Sequence, residues 1–232
     1  IRGPKDSIVR LQVLPKNAGP DGPPKIINLT RNTIQLEDQA ARQKVLTVEG
    51  AQGPQKIGVI EIPTFYMDFE ARMRGEENYR STTRDVRHLI AELTKQGIIG
   101  LIIDLRSNGG GSLPEAVELT GLFIPSGPVV QVRNSQGRVQ LEKDSDDTVT
   151  YAGPLAVLVD RNSASASEIF AAAIQDYRRG LILGETTFGK GTVQNLVDLN
   201  RFDEDSKGKL GQLKATIAQF FRVDGDSTQH LG

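Results

Sequence analysis

The chain has 232 residues, of which 38% are hydrophobic and 25% are charged, a balance typical of a soluble globular protein. Its formal net charge of −1 gives no electrostatic basis for nucleic-acid binding, and no apolar run reaches the roughly 18 residues that cross a bilayer. The absence of cysteine excludes disulfides, thiolate metal sites and a cysteine nucleophile. We therefore expect no nucleic-acid partner and no stable membrane insertion.

The first 55 residues have a strand-rich and irregular pattern. Apolar residues alternate in SIVRLQVLP, the Pro/Gly-rich stretch NAGPDGPPK follows, and IINLTRNTIQLE and KVLTVEG are further strand candidates. Ile1 begins within a strand-like alternation, with no initiator Met and no signal peptide before it. We expect a fragment of a longer protein, whose targeting information lies outside this sequence.

From Lys56 onward the pattern alternates between strands and helices. Continuous apolar runs such as GIIGLIIDL are typical of strands buried on both faces, and capping-box patterns mark helix starts. The β-α-β-α-β order favours an α/β core with helices packed on a sheet. The prediction is strands at KIGVIEIPTF, 97–105, 154–160, 181–184, TVQNLVDL and within 210–224, helices at 78–96, from Ser112 to about Phe123 and from Ser165 to about Arg178, and a hairpin or surface excursion at 126–153.

Residues 184–192, GETTFGKGT, resemble a nucleotide-binding phosphate loop but fail two of its requirements. Gly191 stands where a Mg²⁺-binding hydroxyl belongs, and the β-branched residues that follow predict a strand rather than a helix. Lys190 therefore needs another role: burial beside Phe188 would lower its pKa, as a general base requires. In an extended segment Gln194 would share its face and could orient the amine without adding charge. The alternative is a solvated lysine in a glycine-rich turn.

Two further segments have the pattern of an acyl-transfer site. Ser165 stands where a buried strand turns into a helix, which is a position for an exposed nucleophile, and the Ala166 N–H at the helix start suits an oxyanion. The alternative is that Ser165 only caps the helix, with Glu168 completing the capping box. Three glycines in DLRSNGGGS expose successive N–H groups that suit an anion, unless they form only a tight turn. With only two histidines, a Ser/His/Asp triad is not expected.

Together these segments resemble the carboxy-terminal processing peptidases, which are Ser/Lys serine proteases, and within them the tail-specific protease branch. The matching segments are IDLRSNGGG, VLVDRNSASASEIFAAAIQDY and LGETTFGKGTVQ, with KIGVIEIPTFY in support. The resemblance implies an α/β fold: a ClpP/crotonase-like spiral core with additional β-strands at both ends. It divides the chain into residues 1–15, the trailing strand of a truncated PDZ domain, residues 16–55, a linker and strand-rich segment, and residues 56–232, a protease core truncated at its C-terminal end.

The resemblance also assigns the catalytic roles. Ser165 is implied as the nucleophile, Lys190 as the general base that activates it, and Gln194 as the residue that positions Lys190. The oxyanion hole is implied to consist of the backbone amides of Ala166 and of a glycine in the 109–111 run, Gly110 or Gly111.

Asp176 matches an acidic position that affects activity in tail-specific proteases. A carboxylate close to Lys190 would raise the lysine pKa, which is the wrong direction for a base. We therefore expect Asp176 to be structural and to orient its neighbours.

The implied function is cleavage of proteins or peptides with exposed C-terminal tails, through an acyl-enzyme, without metal or cofactor. The resemblance also implies a bacterial periplasmic location and allows for an adaptor protein. Two alternatives stay open. One is an inactive fragment that serves as a scaffold, and the other is a crotonase-like acyl-CoA enzyme, for which the sequence offers no clear adenine or phosphate site.

Overall fold

The computed structural model describes residues 3–32, 39–50, 53–76, 79–144, 146–202 and 210–232, and it divides the chain into two compact units, residues 1–38 and 39–232. In the first unit, strand β1 (Ile8–Val13) pairs antiparallel with β2 (Lys25–Thr30). Both were predicted as strands; the part of IINLTRNTIQLE from residue 33 onward lies outside the described residues. Assignment of β1 to a PDZ domain stays a prediction.

The larger unit contains a five-stranded sheet with the order β3-β4-β5-β8-β9. Neighbouring strands are parallel from β4 to β9, and only β3 runs antiparallel, so the segment KVLTVEG joins the core sheet although it precedes residue 56. The strands are β3 (Arg42–Gly50), β4 (Gly53–Glu61), β5 (Gly100–Asp104), β8 (Leu155–Val159) and β9 (Leu181–Gly184).

A second sheet, with the order β10-β11-β6-β7, is antiparallel throughout. Its strands β6 and β7 form the hairpin predicted within residues 126–153, and β10 and β11 confirm the late strand predictions. The strands are β6 (Gly127–Asn134), β7 (Val139–Asp144), β10 (Thr192–Asp198) and β11 (Gln212–Phe221). The α/β class with additional strands is therefore confirmed.

The four α-helices among the described residues are α1 (Phe69–Met73), α2 (Thr82–Lys95), α3 (Leu113–Gly121) and α4 (Ala166–Asp176). Helix α2 shows why its ends could be predicted from the sequence. The Ser81 hydroxyl caps it by accepting from the N–H of Arg84, and Gly97, with φ of 75°, follows its C-terminal end. Within the described residues, no helix combines the length and apolar composition of a membrane span.

The core lies between the parallel sheet and its helices. Ile103 on β5 and Val157 on β8 are fully buried, and Phe123 packs edge-to-face on Phe170 of α4 with ring centroids 5.8 Å apart. Because the strands from β4 to β9 are parallel, their carboxyl ends lie along one edge of the sheet, where α/β proteins commonly bind ligands. The loops after β5, β8 and β9 carry the three sequence motifs.

Candidate active site

The predicted site residues except Asp176 meet in one cavity of about 770 Å³. The nucleophile candidate Ser165, the base candidate Lys190 and the glycine run 109–111 all line it. The parallel strands explain why these residues meet. The glycine run follows β5, Ser165 follows β8 and Lys190 follows β9, and the carboxyl ends of these neighbouring strands lie at the same edge of the sheet. The remaining lining residues are Thr64, Ser112, Leu113, Pro114, Ala166, Ile169, Thr192, Val193, Gln194, Asn195, Lys214 and Phe220.

Ser165 occupies a strained turn between strand β8 and helix α4. Its φ of 58° and ψ of −111° lie outside the regions that non-glycine residues normally adopt. Such a turn holds the side chain of a nucleophile clear of the backbone at the start of a helix. The Ser165 Oγ accepts a hydrogen bond from Lys190 Nζ at 3.4 Å, so the candidate nucleophile and the candidate base are in direct contact.

Glu168 joins the Ser165 turn to residues 185–191, the loop between β9 and β10 that carries Lys190 and is called the lysine loop below. Its carboxylate, 2% exposed, accepts from the N–H of Ser165 at 2.7 Å, and that half of the predicted capping box is present. It also accepts from the Thr187 hydroxyl at 2.8 Å, from the Gly189 N–H at 2.7 Å and from the Lys190 N–H at 3.0 Å. A buried carboxylate is stable only with such partners, and here they come from both the Ser165 turn and the loop of Lys190.

Lys190 is half-buried, and its environment favours the neutral amine. Burial is the largest cause that lowers the Lys190 pKa below its ordinary value, and the positive charge of Lys214 lowers it further. The negative charge of Glu168 acts in the opposite direction but is the weaker influence. The Nζ also donates to the carbonyl of Thr192 at 2.9 Å, which fixes the amine near Ser165.

Asn108 orders the glycine run, although nothing in the sequence singled it out. It is fully buried; its Nδ2 donates to the Ile62 carbonyl at 2.7 Å and its Oδ1 accepts from the Gly110 N–H at 2.8 Å. Its backbone carbonyl accepts from the Ala164 N–H at 3.0 Å and from the Ser167 hydroxyl at 2.9 Å. One asparagine therefore ties the end of β4, the glycine run and the Ser165 turn together.

The two candidate glycines differ in their backbone amides. The Gly110 N–H already donates to Asn108, whereas among the described residues the N–H groups of Gly111 and Ala166 donate to no protein acceptor. Gly110 packs directly on the Ser165 turn: a Cβ there would lie 2.7 Å from the Ala164 carbonyl oxygen and 3.0 Å from the Ala166 nitrogen. The glycine run and the helix start are thus in contact, as an oxyanion site requires.

Gln194 lines the same cavity, but its amide points to a different partner. Its Nε2 donates to the Thr216 hydroxyl on β11 at 3.4 Å. The pairing of β10 with β11 shifts register between Val193, which pairs with Ala218, and Gln194, which pairs with Thr216, so that Ile217 of β11 is left unpaired. In this structure the Lys190 amine is held by the Thr192 carbonyl rather than by Gln194.

Asp176 lies at the end of helix α4 rather than beside the lysine amine. Its carboxylate, with the side chain 8% exposed, forms a salt bridge with Arg222, which follows strand β11. The guanidinium of Arg222 also donates to the side chain of Gln175 at 2.9 Å. The aspartate thus links the nucleophile helix to the segment after the second sheet.

Sequence reasoning missed the organising roles of Asn108 and Glu168. Glu168 was visible only as the last residue of a capping box, a pattern that reports a local helix start. Its bonds to the lysine loop span about twenty residues of sequence, and no local pattern encodes them. Asn108 carried no signal beyond its place before three glycines.

Comparisons with known proteins agree with one another. A family model described as peptidase family S41 matches residues 56–232. The chain is 47% identical over its whole length to a tail-specific protease of Haemophilus influenzae, of which it covers 30%, and 35% identical over 77% of its length to a chloroplastic C-terminal processing peptidase of Tetradesmus obliquus, of which it covers 34%. It thus spans about a third of the length of these curated relatives.

Solved structures give the same picture. A photosystem II D1 C-terminal processing protease superposes with a TM-score of 0.68 at 30% identity, over 99% of this chain and 55% of that one. Mature CPAF in complex with lactacystin superposes with a TM-score of 0.62 at 15% identity, over 92% of this chain and 60% of that one, a likeness of fold alone.

Proposed function

The chain belongs to peptidase family S41, and we propose that it is a serine protease that hydrolyses peptide bonds with a Ser/Lys dyad. The observation that carries this proposal is the pairing of Ser165, in a strained turn, with the half-buried Lys190 at 3.4 Å. A lysine amine with a lowered pKa suits a general base, and neither of the two histidines, His88 and His230, lines the cavity.

The reaction proceeds through an acyl-enzyme. Neutral Lys190 takes the proton of the Ser165 hydroxyl while Oγ bonds to the scissile carbonyl carbon. The C–N bond then breaks, and the lysine ammonium gives its proton to the leaving amine. Water, deprotonated by Lys190, attacks the ester carbonyl, and the proton returns to Ser165 as the acyl–oxygen bond breaks. The 3.4 Å separation is long for proton transfer and shortens on substrate binding, as is usual for unliganded sites.

The oxyanion that forms in each step is stabilised by backbone amides. Ala166 at the start of helix α4 and Gly111 are assigned this role, because each presents an N–H without a protein acceptor among the described residues. Gly110 supports the site by its close packing on the Ser165 turn and not as a donor. One such donor is worth roughly 3 kcal/mol of transition-state stabilisation.

Gln194 and Asp176 have supporting roles in this proposal. Gln194 lies in the cavity within the strand that follows Lys190, and a rotation of its amide from Thr216 toward the amine would orient the base without adding charge. Asp176 acts through its salt bridge with Arg222, away from the reacting atoms.

The substrates proposed are proteins or peptides with exposed C-terminal tails. The support is similarity to proteins named tail-specific protease and C-terminal processing peptidase. The bacterial relative that matches the whole chain leads us to propose a periplasmic location, and an adaptor protein is a compatible partner.

The test is labelling with a fluorophosphonate probe as a function of pH, with mass spectrometry to locate the adduct. We expect labelling at Ser165 whose rate rises with an apparent pKa below the ordinary lysine value. Ser165→Ala serves as the control that removes the adduct. A folded chain that is not labelled at any pH, or is labelled at another residue, would contradict the proposal.

A further inference from the structure

The loop that carries Lys190 is held by a second segment, Gln229–His230, near the end of the chain. The Gly191 N–H donates to the side-chain Oε1 of Gln229 at 2.7 Å. On the other side of the lysine, the Gly189 carbonyl accepts from the His230 N–H at 2.8 Å. Both flanks of Lys190 are therefore bonded to the same short segment.

The two segments also fit closely. A Cβ on Gly191 would lie 2.9 Å from the Gln229 Cβ and 3.0 Å from its backbone nitrogen, so the approach requires glycine. Gln229 is itself partly fixed, because its N–H donates to the Ser227 hydroxyl at 3.1 Å. The backbone that carries this acceptor is thus fixed by a contact outside the loop of Lys190.

The base of this segment is anchored to the core. The Arg222 N–H donates to the Asp226 carbonyl at 2.8 Å, and the Gln131 amide donates to the Arg222 carbonyl at 3.0 Å. The Arg222 guanidinium in turn forms the salt bridge with Asp176 at the end of helix α4. A chain of contacts therefore runs from the nucleophile helix through Arg222 to Gln229 and the lysine loop.

We propose that Gln229 is a positioning residue for Lys190: its side-chain carbonyl fixes the Gly191 amide and so sets where the lysine amine lies relative to Ser165. This inference rests on the proposed function. Glu168 holds the same loop through the N–H groups of Gly189 and Lys190, but with a negative charge, which favours the ammonium. Gln229 is an uncharged acceptor, so it adds a hold on the loop without favouring the charged lysine further.

Precision matters here because proton transfer depends on the position of the amine. A displacement of about 1 Å at a reacting group can lower a rate by about a hundredfold. Loss of the Gln229 acceptor also exposes the loop to water, which moves the Lys190 pKa up toward its ordinary value. The charged groups that face the amine, Glu168 and Lys214, are unchanged by such a substitution.

The test compares the 232-residue chain with Gln229→Ala and Gln229→Glu, and with Gln140→Ala as a control on an exposed strand of the second sheet. Three quantities are measured: exchange of the Gly191 amide proton by NMR, the pKa of Lys190 by NMR titration of its side chain, and the rate of fluorophosphonate labelling at Ser165. The first two need no activity, so they decide on Gln229 even if Ser165 is never labelled.

For Gln229→Ala we expect at least about tenfold faster exchange at Gly191, a higher Lys190 pKa and labelling slowed about ten- to a hundredfold. Gln229→Glu keeps an acceptor, so it retains the amide protection while its charge raises the Lys190 pKa. Gln140→Ala matches the wild type in all three.

The proposal is overturned if Gly191 exchange in Gln229→Ala equals that of the wild type, since the glutamine then does not hold the loop. It is equally overturned if exchange rises while the Lys190 pKa stays unchanged, because the loop then does not position the lysine. Failure of the wild type to label Ser165 refutes the proposed function instead.

Discussion

The cavity has a side formed around Ser165, the proposed nucleophile side, and a side formed around Lys190, the proposed base side, and the two are built differently. Ser165 and the glycine run follow β8 and β5, which lie inside the parallel sheet, and the buried Asn108 ties their loops together. Lys190 lies in the connection from the edge strand β9 to β10 of the second sheet, and the backbone N–H groups of that loop donate hydrogen bonds to Glu168 and Gln229.

Because of this difference, we expect substitutions on the two sides to affect stability and activity differently. A change on the nucleophile side disturbs buried loops of the core, so it should lower both stability and activity. A change on the base side alters the loop that connects β9 with β10, outside the buried strands of the parallel sheet, so we expect it to lower activity with little loss of stability. Four substitutions test that division, beginning with the largest effect on activity.

Lys190→Ala should lower the labelling rate at Ser165 by about 10⁴-fold or more, since a dyad loses its base. Stability at neutral pH should not fall. Burial lowers the Lys190 pKa in the folded state, so the charged form costs the folded state free energy below that pKa, and its removal is neutral or favourable there. Any gain should fade above the ordinary lysine pKa, where both states are neutral. Labelling kinetics and thermal unfolding at several pH values measure both.

The matching control is Ser165→Ala, which should remain folded and carry no adduct. Near wild-type labelling by Lys190→Ala would remove the lysine from the mechanism. A fall in stability at neutral pH comparable with that of a core substitution would break the division between the two sides.

Glu168→Gln should affect both sides, because the Glu168 carboxylate accepts hydrogen bonds from the backbone N–H groups of both Ser165 and Lys190. The amide keeps the volume but offers one acceptor oxygen to donors that met two. We expect a loss of about 1–3 kcal/mol in the free energy of unfolding and labelling slowed by about tenfold to a hundredfold. Urea unfolding and labelling kinetics provide the two measurements.

Glu49→Gln, on exposed strand β3, removes a charge without touching the cavity and should match the wild type. If Glu168→Gln slowed labelling but left unfolding unchanged, the carboxylate would belong to the base side alone.

Gly110→Ala tests the close packing on the nucleophile side. The new methyl would lie 2.7 Å from the Ala164 carbonyl oxygen and 2.9 Å from the Ser165 Cβ, and the φ of 98° is strained for alanine. Gly137→Ala is a matched control, because its φ of 77° carries similar strain in open space. We expect about 1 kcal/mol of destabilisation for Gly137→Ala and at least about 1–2 kcal/mol more for Gly110→Ala. Equal values from chemical unfolding would mean that the Ser165 turn yields easily.

More of the nucleophile side than of the base side could be predicted from the sequence. Buried strands such as residues 100–104 read as continuous apolar runs, and capping patterns marked the starts of helices α3 and α4, because these signals are local. The placement of Lys190 beside Ser165 came from a family resemblance rather than from periodicity. The five-residue helix α1 was not foreseen, since it is too short for a helical repeat to appear.

What sequence reasoning missed depends on loops that meet only in the folded chain. Glu168 and Gln229 bond the lysine loop across 21 and 38 residues of sequence, and Asn108 reaches Ile62 across 46. The Gln194 amide departed from its expected direction because Gln194 pairs with Thr216 of β11, where the pairing skips Ile217, and donates to the Thr216 hydroxyl. Side-chain hydrogen bonds between distant loops have no period in the sequence.

Lys214→Gln should give the smallest change and acts on the base side alone. Lys214 is exposed on β11 and lines the cavity, and its positive charge helps to lower the Lys190 pKa. Removing that charge leaves burial as the main cause, so the midpoint of the pH–labelling profile should rise only slightly. Because an exposed charge is screened over about 3 Å at 1 M salt, wild type and variant should converge in high salt. A shift of the midpoint that persisted at 1 M salt would mean that Lys214 acts through packing instead. Stability equal to that of the wild type at both salt concentrations would show that Lys214 affects the base side alone.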